Sequence, residues 1–127
     1  MRELCGVLGD PQGAQATVHI TGTNGKGSVA RMVTRLLGEH DLTVGTYLSP
    51  HLERINERIS RNGEPIRDDD LAATLTHLAG IEGLLSHRPS YFELLTAAAY
   101  HWFADEAVQA AVVEVGLLGR WDATNVV

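Results

Sequence analysis

The sequence predicts an α/β fold, in which helices cover a mainly parallel sheet. Apolar, β-branched runs at residues 17 to 22, 43 to 48 and 109 to 115 are typical of buried strands. Helical patterns separate these runs, and connections of such length between strands favour parallel crossovers. The alternation of strands and helices therefore indicates one α/β domain.

The helices are predicted by the spacing of apolar residues. The first follows a glycine-rich loop, has apolar residues at positions 29, 32, 33, 36 and 37, and ends near Gly38. A second begins at the aspartates 68 to 70, whose carboxylates suit a helix N-terminus. A third runs from about Tyr91 to Phe103. Before the second helix, the pair Asn62-Gly63 predicts a small hairpin.

Size and charge limit the possible functions. The chain has 127 residues, 44% of them hydrophobic, and a formal charge of −6. This length suits one hydrophobic core, and the acidic balance argues against a nucleic-acid partner or an anionic membrane surface. No apolar run is long enough to span a membrane, and we expect no signal peptide, because the N-terminus lacks a basic segment followed by a long apolar core. With Cys5 as the only cysteine, we expect a cytoplasmic chain without disulfides and without a membrane partner.

A glycine-rich loop at residues 21 to 28 lies where the first strand ends and the first of these helices begins. It contains Lys26, the only lysine of the chain. Backbone N–H groups and the helix dipole converge at such a turn, which favours phosphate binding. Lys26 would reach the β- and γ-phosphates, and Ser28 would contact Mg²⁺ or a phosphate oxygen. The predicted ATP-binding residues are Gly22, Thr23, Asn24, Gly25, Lys26, Gly27 and Ser28, and Lys26 is also the candidate catalytic residue.

The loop departs from the standard P-loop pattern at two points. Ile20 stands where the first glycine belongs, and Gly27 separates Lys26 from Ser28. A dinucleotide-binding pattern is formally present in residues 25 to 30, but the acidic residue that would hold a ribose is missing about 20 positions later. A purely structural turn is a third interpretation.

Glu114 interrupts an apolar strand near the end of the chain. An ionised carboxylate is costly to bury without a cation or hydrogen-bond donors. A hard oxygen ligand at a strand end beside a phosphate loop suits Mg²⁺. The alternative is a neutral acid with a structural role.

Five motifs in matching order carry a resemblance to a known family. They are the glycine loop, Ser49-Pro50-His51-Leu52, Glu57-Arg58-Ile59, Ser90-Tyr91-Phe92-Glu93, and the stretch from Glu114 to Asn125. From about Val18 to its end, the chain closely resembles the bifunctional dihydrofolate synthase/folylpolyglutamate synthase family of the Mur ligase superfamily. The resemblance implies the P-loop-containing central domain of the Mur ligases, present here in part.

The resemblance implies an ATP-dependent amide ligase of folate biosynthesis. In that family the γ-phosphate of ATP passes to a carboxylate of dihydropteroate or a folylpolyglutamate, and the amine of L-glutamate attacks the acyl phosphate. ATP and Mg²⁺ are the implied cofactors. Ser49 and Glu114 match metal-binding positions. The matching pterin-binding positions are Ser90, Tyr91, Phe92, Glu93, Trp121, Asp122 and Ala123.

Several of these residues also have structural interpretations. From the residues alone, Ser49 is equally well explained as a hydroxyl that ends its strand before Pro50. Residues 90 to 93 form an S-x-x-E capping box, in which Phe92 is a core residue rather than a stacking partner. Asp122 would then shape the loop in which it lies.

Members of the family are much longer than this chain. We therefore expect residues 1 to 127 to be a partial N-terminal and central ATP-binding domain, inactive without the C-terminal glutamate ligase domain. The last strand would leave apolar faces uncovered, which favours association. At position 118 a leucine replaces the usual glycine of the family and would strain the loop if that position needs a positive φ.

Other functions stay open. A non-catalytic nucleotide-binding fragment would keep the phosphate loop without ligase chemistry. Another Mur-type ligase, acting on a cell-wall precursor, would share the loop and the fold. A P-loop kinase or GTPase is disfavoured, because the Lys-Gly-Ser order differs from its loop.

Overall fold

The computed structural model describes residues 1–117 and 119–127 and is an α/β structure, as the sequence predicts. Five strands form one sheet in the order β1-β5-β2-β3-β4. Their bounds are β1 Ala16–Ile20, β2 Val44–Tyr47, β3 Ile59–Arg61, β4 Glu64–Pro65 and β5 Ala110–Glu114. Strands β1, β5 and β2 are parallel, whereas β3 and β4 form the predicted hairpin and pair antiparallel. The sheet is therefore mixed.

Helices cover the two faces of the sheet unequally. The helices are α1 Arg2–Val7, α2 Lys26–Gly38, α3 Asp68–Ile81 and α4 Tyr91–Asp105. Helix α2 packs on one face, where Ala30 contacts a small cluster around Val112. The other three helices pack on the opposite face in the larger core, which contains the neighbouring strand residue Val113. None of the described helices is both long and apolar enough to cross a membrane.

The last strand does not behave as the sequence suggested. Strand β5 lies between β1 and β2, and all five of its residues are buried. The prediction that it would expose an apolar face was therefore wrong, because α2 covers one face of β5 and the larger core covers the other. Exposed apolar side chains lie instead on α2, where Val29, Met32 and Leu36 are 43%, 57% and 65% exposed. Helix α2 buries Ala30 and Thr34 instead.

Helix starts differ from the predictions in detail. Helix α1 was not predicted and buries Leu4 and Cys5. Helix α2 begins at Lys26, three residues before its apolar pattern. The residue that precedes α3 is Arg67, so the aspartates lie in the first turn and none of them caps the helix.

Candidate functional site

The glycine loop turns sharply between β1 and α2. Gly25 precedes the helix with a φ of 74°, a left-handed conformation that favours glycine. The first helical bond runs from Val29 N–H to the Gly25 carbonyl at 2.9 Å. The N–H groups of residues 26 to 28 thus stay outside the helical ladder and are available to an anion.

Lys26 folds back over the loop. Its Nζ donates a hydrogen bond to the Gly22 carbonyl at 3.0 Å. Gly22 itself has a φ of 148°. The only lysine of the chain therefore lies at the glycine loop, where it places a positive charge beside the open N–H groups. Thr23 and Asn24 are exposed in the same loop.

Glu114 ends β5 beneath the first turn of α2. Only 5% of the residue is exposed. Its Oε2 accepts a hydrogen bond from the backbone N–H of Ser49 at 3.0 Å. A Cβ added to Gly27 would lie 3.7 Å and 3.8 Å from its two carboxylate oxygens. Within the described ranges, Glu114 forms no ion pair, so this buried carboxylate lacks a balancing charge.

One cleft of about 360 Å³ brings these residues together. It is lined by Gly25, Gly27, Ser28, Arg31, Leu48, Ser49, Pro50 and Glu114. Five of these residues were singled out from the sequence as ATP-binding or metal-binding. Arg31 was not, although it follows Gly27 by four positions on α2 and therefore shares its helix face.

The cleft suits a divalent cation that also binds phosphate. A buried carboxylate and a serine are hard oxygen donors, and Mg²⁺ is commonly held by one or two carboxylates together with substrate phosphates. Across residues 1–117 and 119–127, no group of three His, Cys, Asp or Glu side chains could hold a metal ion alone. The residues present therefore fit Mg²⁺ in the presence of a nucleotide.

Two of the predicted pterin-binding residues cap α4. The Ser90 hydroxyl accepts from Glu93 N–H at 3.2 Å, and Ser90 N–H donates to Glu93 Oε2 at 2.9 Å. The second carboxylate oxygen of Glu93 pairs with the Met1 ammonium at 2.8 Å. That ammonium and the Ser90 N–H lower the pKa of Glu93. The capping box expected from the sequence is present.

The two aromatic residues of this turn point in different directions. Phe92 is half-buried against the larger core, and a Cβ on Gly116 would lie 2.6 Å from its ring. Phe92 is thus a core residue, as the structural interpretation predicted. Tyr91 is 58% exposed, and the Arg58 guanidinium lies 6.0 Å from its ring centroid.

Asp122 shapes the loop after β5. Its carboxylate accepts hydrogen bonds from Leu117 N–H at 2.7 Å and from the N–H and hydroxyl of Thr124 at 2.9 Å and 2.6 Å. The Thr124 hydroxyl also contacts His19 Nε2 at 2.8 Å. These bonds give Asp122 the structural role that was the alternative to pterin binding. The expected effect of the leucine at position 118 lies outside the described residues.

Trp121 and Ala123 differ in exposure. Trp121 is 82% exposed, and the Arg120 guanidinium lies 5.7 Å from its ring centroid. Ala123 is half-buried. A Cβ added to Gly119 would lie 3.6 Å from the Thr21 hydroxyl, so this loop adjoins the glycine loop. None of the seven predicted pterin-binding residues lines the cleft.

Comparison with known proteins shows close relatives. The chain is 44% identical, over 135 aligned residues, to the dihydrofolate synthase/folylpolyglutamate synthase of Mycobacterium tuberculosis, a match that covers 98% of this chain and 28% of the relative. The Bacillus subtilis protein of the same name is 39% identical and is covered to 31%. The chain thus spans about a third or less of the length of these relatives. No protein-family model matches it.

Solved structures agree with the sequence comparison. The Mycobacterium tuberculosis folylpolyglutamate synthase complexed with ADP matches with a TM-score of 0.95 and 46% identity, over 98% of this chain and 29% of that protein. A folylpolyglutamate synthase complexed with AMPPCP and folate matches with a TM-score of 0.92 and 40% identity, over 98% of this chain and 32% of that protein.

Proposed function

The chain belongs to the folylpolyglutamate and dihydrofolate synthase family, a family of ATP-dependent ligases, and we propose that it supplies the Mg-ATP phosphate site of such a ligase. One observation carries the proposal. The open N–H groups of α2, Ser49 and the buried carboxylate of Glu114 share one cleft, and Lys26, the first residue of α2, folds back over the glycine loop. Relatives complexed with ADP and with AMPPCP and folate support the same ligands here.

The reaction we propose joins L-glutamate to dihydropteroate, to a folylpolyglutamate, or to both. A carboxylate oxygen of the acceptor attacks the γ-phosphorus of ATP, the bond to ADP breaks, and an acyl phosphate forms. The glutamate amine then attacks the acyl carbon, loses a proton, and phosphate leaves. Because a carboxylate is a poor electrophile, ATP activates it by supplying a phosphate leaving group. The protein then contributes chiefly positioning and charge stabilisation.

The residues of the cleft have separate parts in this proposal. The N–H groups of residues 26 to 28 bind phosphate oxygens, and the Lys26 ammonium turns from the Gly22 carbonyl towards the β- and γ-phosphates. Glu114 and Ser49 would hold Mg²⁺, which supplies positive charge to the phosphates when bound. Since Ser49 N–H already fixes one carboxylate oxygen of Glu114, the ligand set is oriented in advance.

The acidic substrate would approach along the turn at Tyr91 and the loop at Trp121. Both side chains are exposed, so their rings are available to a flat heterocycle. The hydrogen bonds of Ser90, Glu93 and Asp122 hold these two segments in place. We further propose that ligation requires residues beyond this chain, which spans 28% and 31% of two relatives, and that it takes place in the cytoplasm.

Calorimetric titration of Mg-ATP into the chain tests the proposal. We expect saturable binding that Lys26→Ala weakens by about tenfold or more, because a charge-assisted contact to phosphate is lost. Glu114→Gln is expected to weaken Mg-ATP binding more than ATP binding without metal. Arg88→Ala is the matched control, because it removes an exposed positive charge that is distant from Lys26 in the sequence. Titration with GTP tests whether the site selects the base. A folded chain that binds no Mg-ATP would contradict the proposal.

A further inference from the structure

The loop between β2 and β3 forms one wall of the cleft and is held by Arg58. Ser49 and Pro50 line the cleft, and His51 follows them. The Arg58 Nε–H donates a hydrogen bond to His51 Nδ1 at 2.9 Å. The Arg58 carbonyl accepts from Leu48 N–H at 2.8 Å. Arg58 thus holds both the start of the loop, at Leu48, and the imidazole of His51, which follows the cleft wall.

The hydrogen bond from Arg58 decides the tautomer of His51. A guanidinium carries donors only and keeps its charge, so Nδ1 must be the acceptor. The proton of the neutral imidazole is then on Nε2, which becomes a donor. In the part of the chain that the structure describes, no hydrogen bond involves His51 Nε2.

Arg58 also lies next to the predicted substrate segment. Its guanidinium is 6.0 Å from the ring centroid of Tyr91, the exposed first residue of α4. Among the described residues it forms no ion pair. Arg58 and His51 therefore link the turn at Tyr91 to the loop that lines the cleft. Under the proposed function, the acidic end of the substrate would meet the nucleotide beside this loop.

We propose that Arg58 is a positioning residue that fixes His51 as its Nε2–H tautomer and thereby presents a hydrogen-bond donor to an oxyanion beside the cleft. This inference rests on the proposed function, because it concerns the ligands of the same site. The oxyanion is a phosphate oxygen of the nucleotide or a carboxylate of the acidic substrate. Either group accepts an N–H donor strongly, since the acceptor is charged.

Nitrogen-detected NMR of the imidazole rings tests the tautomer directly and without any ligand. Of the six histidines, His51 is assigned by the loss of its signals in His51→Gln. We expect an unprotonated Nδ1 and a protonated Nε2 in the wild type, and a mixture of tautomers in Arg58→Met. Arg54→Met removes a neighbouring guanidinium and is the control. A wild-type Nδ1–H tautomer, or an unchanged spectrum in Arg58→Met, would overturn the role of Arg58.

A pair of His51 variants tests the donor. A glutamine amide nitrogen lies near the position of Nε2, whereas that of asparagine lies near Nδ1. Titrated separately with Mg-AMPPCP and with folate, His51→Gln is expected to bind within about twofold of wild type, and His51→Asn about tenfold more weakly for the ligand that accepts the bond. The probe that shows the loss identifies the source of the oxyanion.

The outcomes separate this inference from the proposed function. If both variants bind both probes as wild type does, His51 presents no donor and the inference fails while the proposed function stands. If the wild type binds neither probe, the proposed function fails and the donor has no ligand. The NMR spectra still decide in that case whether Arg58 fixes the tautomer.

Discussion

A single half-buried carboxylate orders the loop that follows the cleft wall. Glu57 accepts hydrogen bonds from the N–H groups of Leu52, Glu53 and Arg54 at 2.8, 2.9 and 2.7 Å. The bond from Leu52, then those from Arg54 and Glu53, lower the pKa of Glu57. Glu57 immediately precedes Arg58. These two neighbouring residues therefore hold the loop together, Glu57 through the backbone N–H groups and Arg58 through the imidazole of His51.

This arrangement predicts how the loop responds to acid. Because the folded pKa of Glu57 is lowered, its stabilisation is complete above the unfolded pKa of about 4.3 and is lost as the pH falls through the folded value. We expect the amide proton shifts of residues 52 to 54 to move together with one midpoint below about 4.3. Glu57→Gln abolishes that shared transition, whereas Glu53→Gln retains it. Independent midpoints for the three amides would contradict the prediction.

Residue chemistry also explains which site residues sequence reasoning could find. A glycine-rich run between a strand and a helix, and an acid within an apolar strand, both stand out from their neighbours in the sequence. Gly25 and Glu114 could therefore be found without the structure. Ser49 was found only through the resemblance, and its observed contact uses its backbone N–H rather than its hydroxyl. A contact made by a backbone N–H does not depend on the side chain, so the residue type does not reveal it.

At the scale of elements, the segment just after β5 meets the first turn of α4 at Gly116, a position where an added Cβ does not fit. A Cβ on Gly116 would lie 2.6 Å from Phe92 Cζ and 3.1 Å from two further ring atoms. The ring cannot yield freely, because it packs in the larger core, 6.1 Å from the Tyr47 ring. The spacing between the strand end and the helix start is therefore set by this contact.

We predict that Gly116→Ala destabilises the chain by about 1 to 3 kcal/mol, the usual range for overpacking. Urea unfolding followed by circular dichroism measures the change. The double variant Gly116→Ala with Phe92→Leu is expected to recover part of the loss, because the smaller side chain gives space. Gly80→Ala is the control, since its added Cβ has no atom within 4 Å and alanine favours a helix. Equal stability of Gly116→Ala and wild type would contradict the predicted overpacking of the Phe92 ring.

Most elements could be predicted from the sequence because each carries a local signal. Apolar runs indicated the parallel strands, and Asn62-Gly63 indicated the hairpin. Helix α1 was missed, since six residues are too few for a helical period to stand out. The insertion of β5 between β1 and β2 depends on pairing between distant segments, and so do the contacts of Gly116 with Phe92. Local patterns contain no information on strand order.

At the scale of the whole molecule, the two faces of the sheet are covered by different numbers of helices. Among the described residues, three helices and the larger core lie on one face, whereas α2 alone covers the other over a cluster centred on Ala30, Val44 and Val112. Helix α2 is therefore packed on its sheet-facing side only. Its outer side carries Met32 and Leu36, which are 57% and 65% exposed. Adjacent exposed apolar side chains favour association.

We predict that the chain self-associates through this outer side of α2. Burial of apolar area drives association, and a charged side chain in the contact opposes it. Sedimentation velocity over a concentration series should show a wild type that shifts towards larger species and a Met32→Lys, Leu36→Lys variant that stays monomeric. Leu84→Lys changes a leucine that is 69% exposed in the turn after α3 and should associate as wild type does. Equal association of the α2 variant and wild type would instead place the contact elsewhere, with the exposed Val18 of the edge strand β1 as the next position to change.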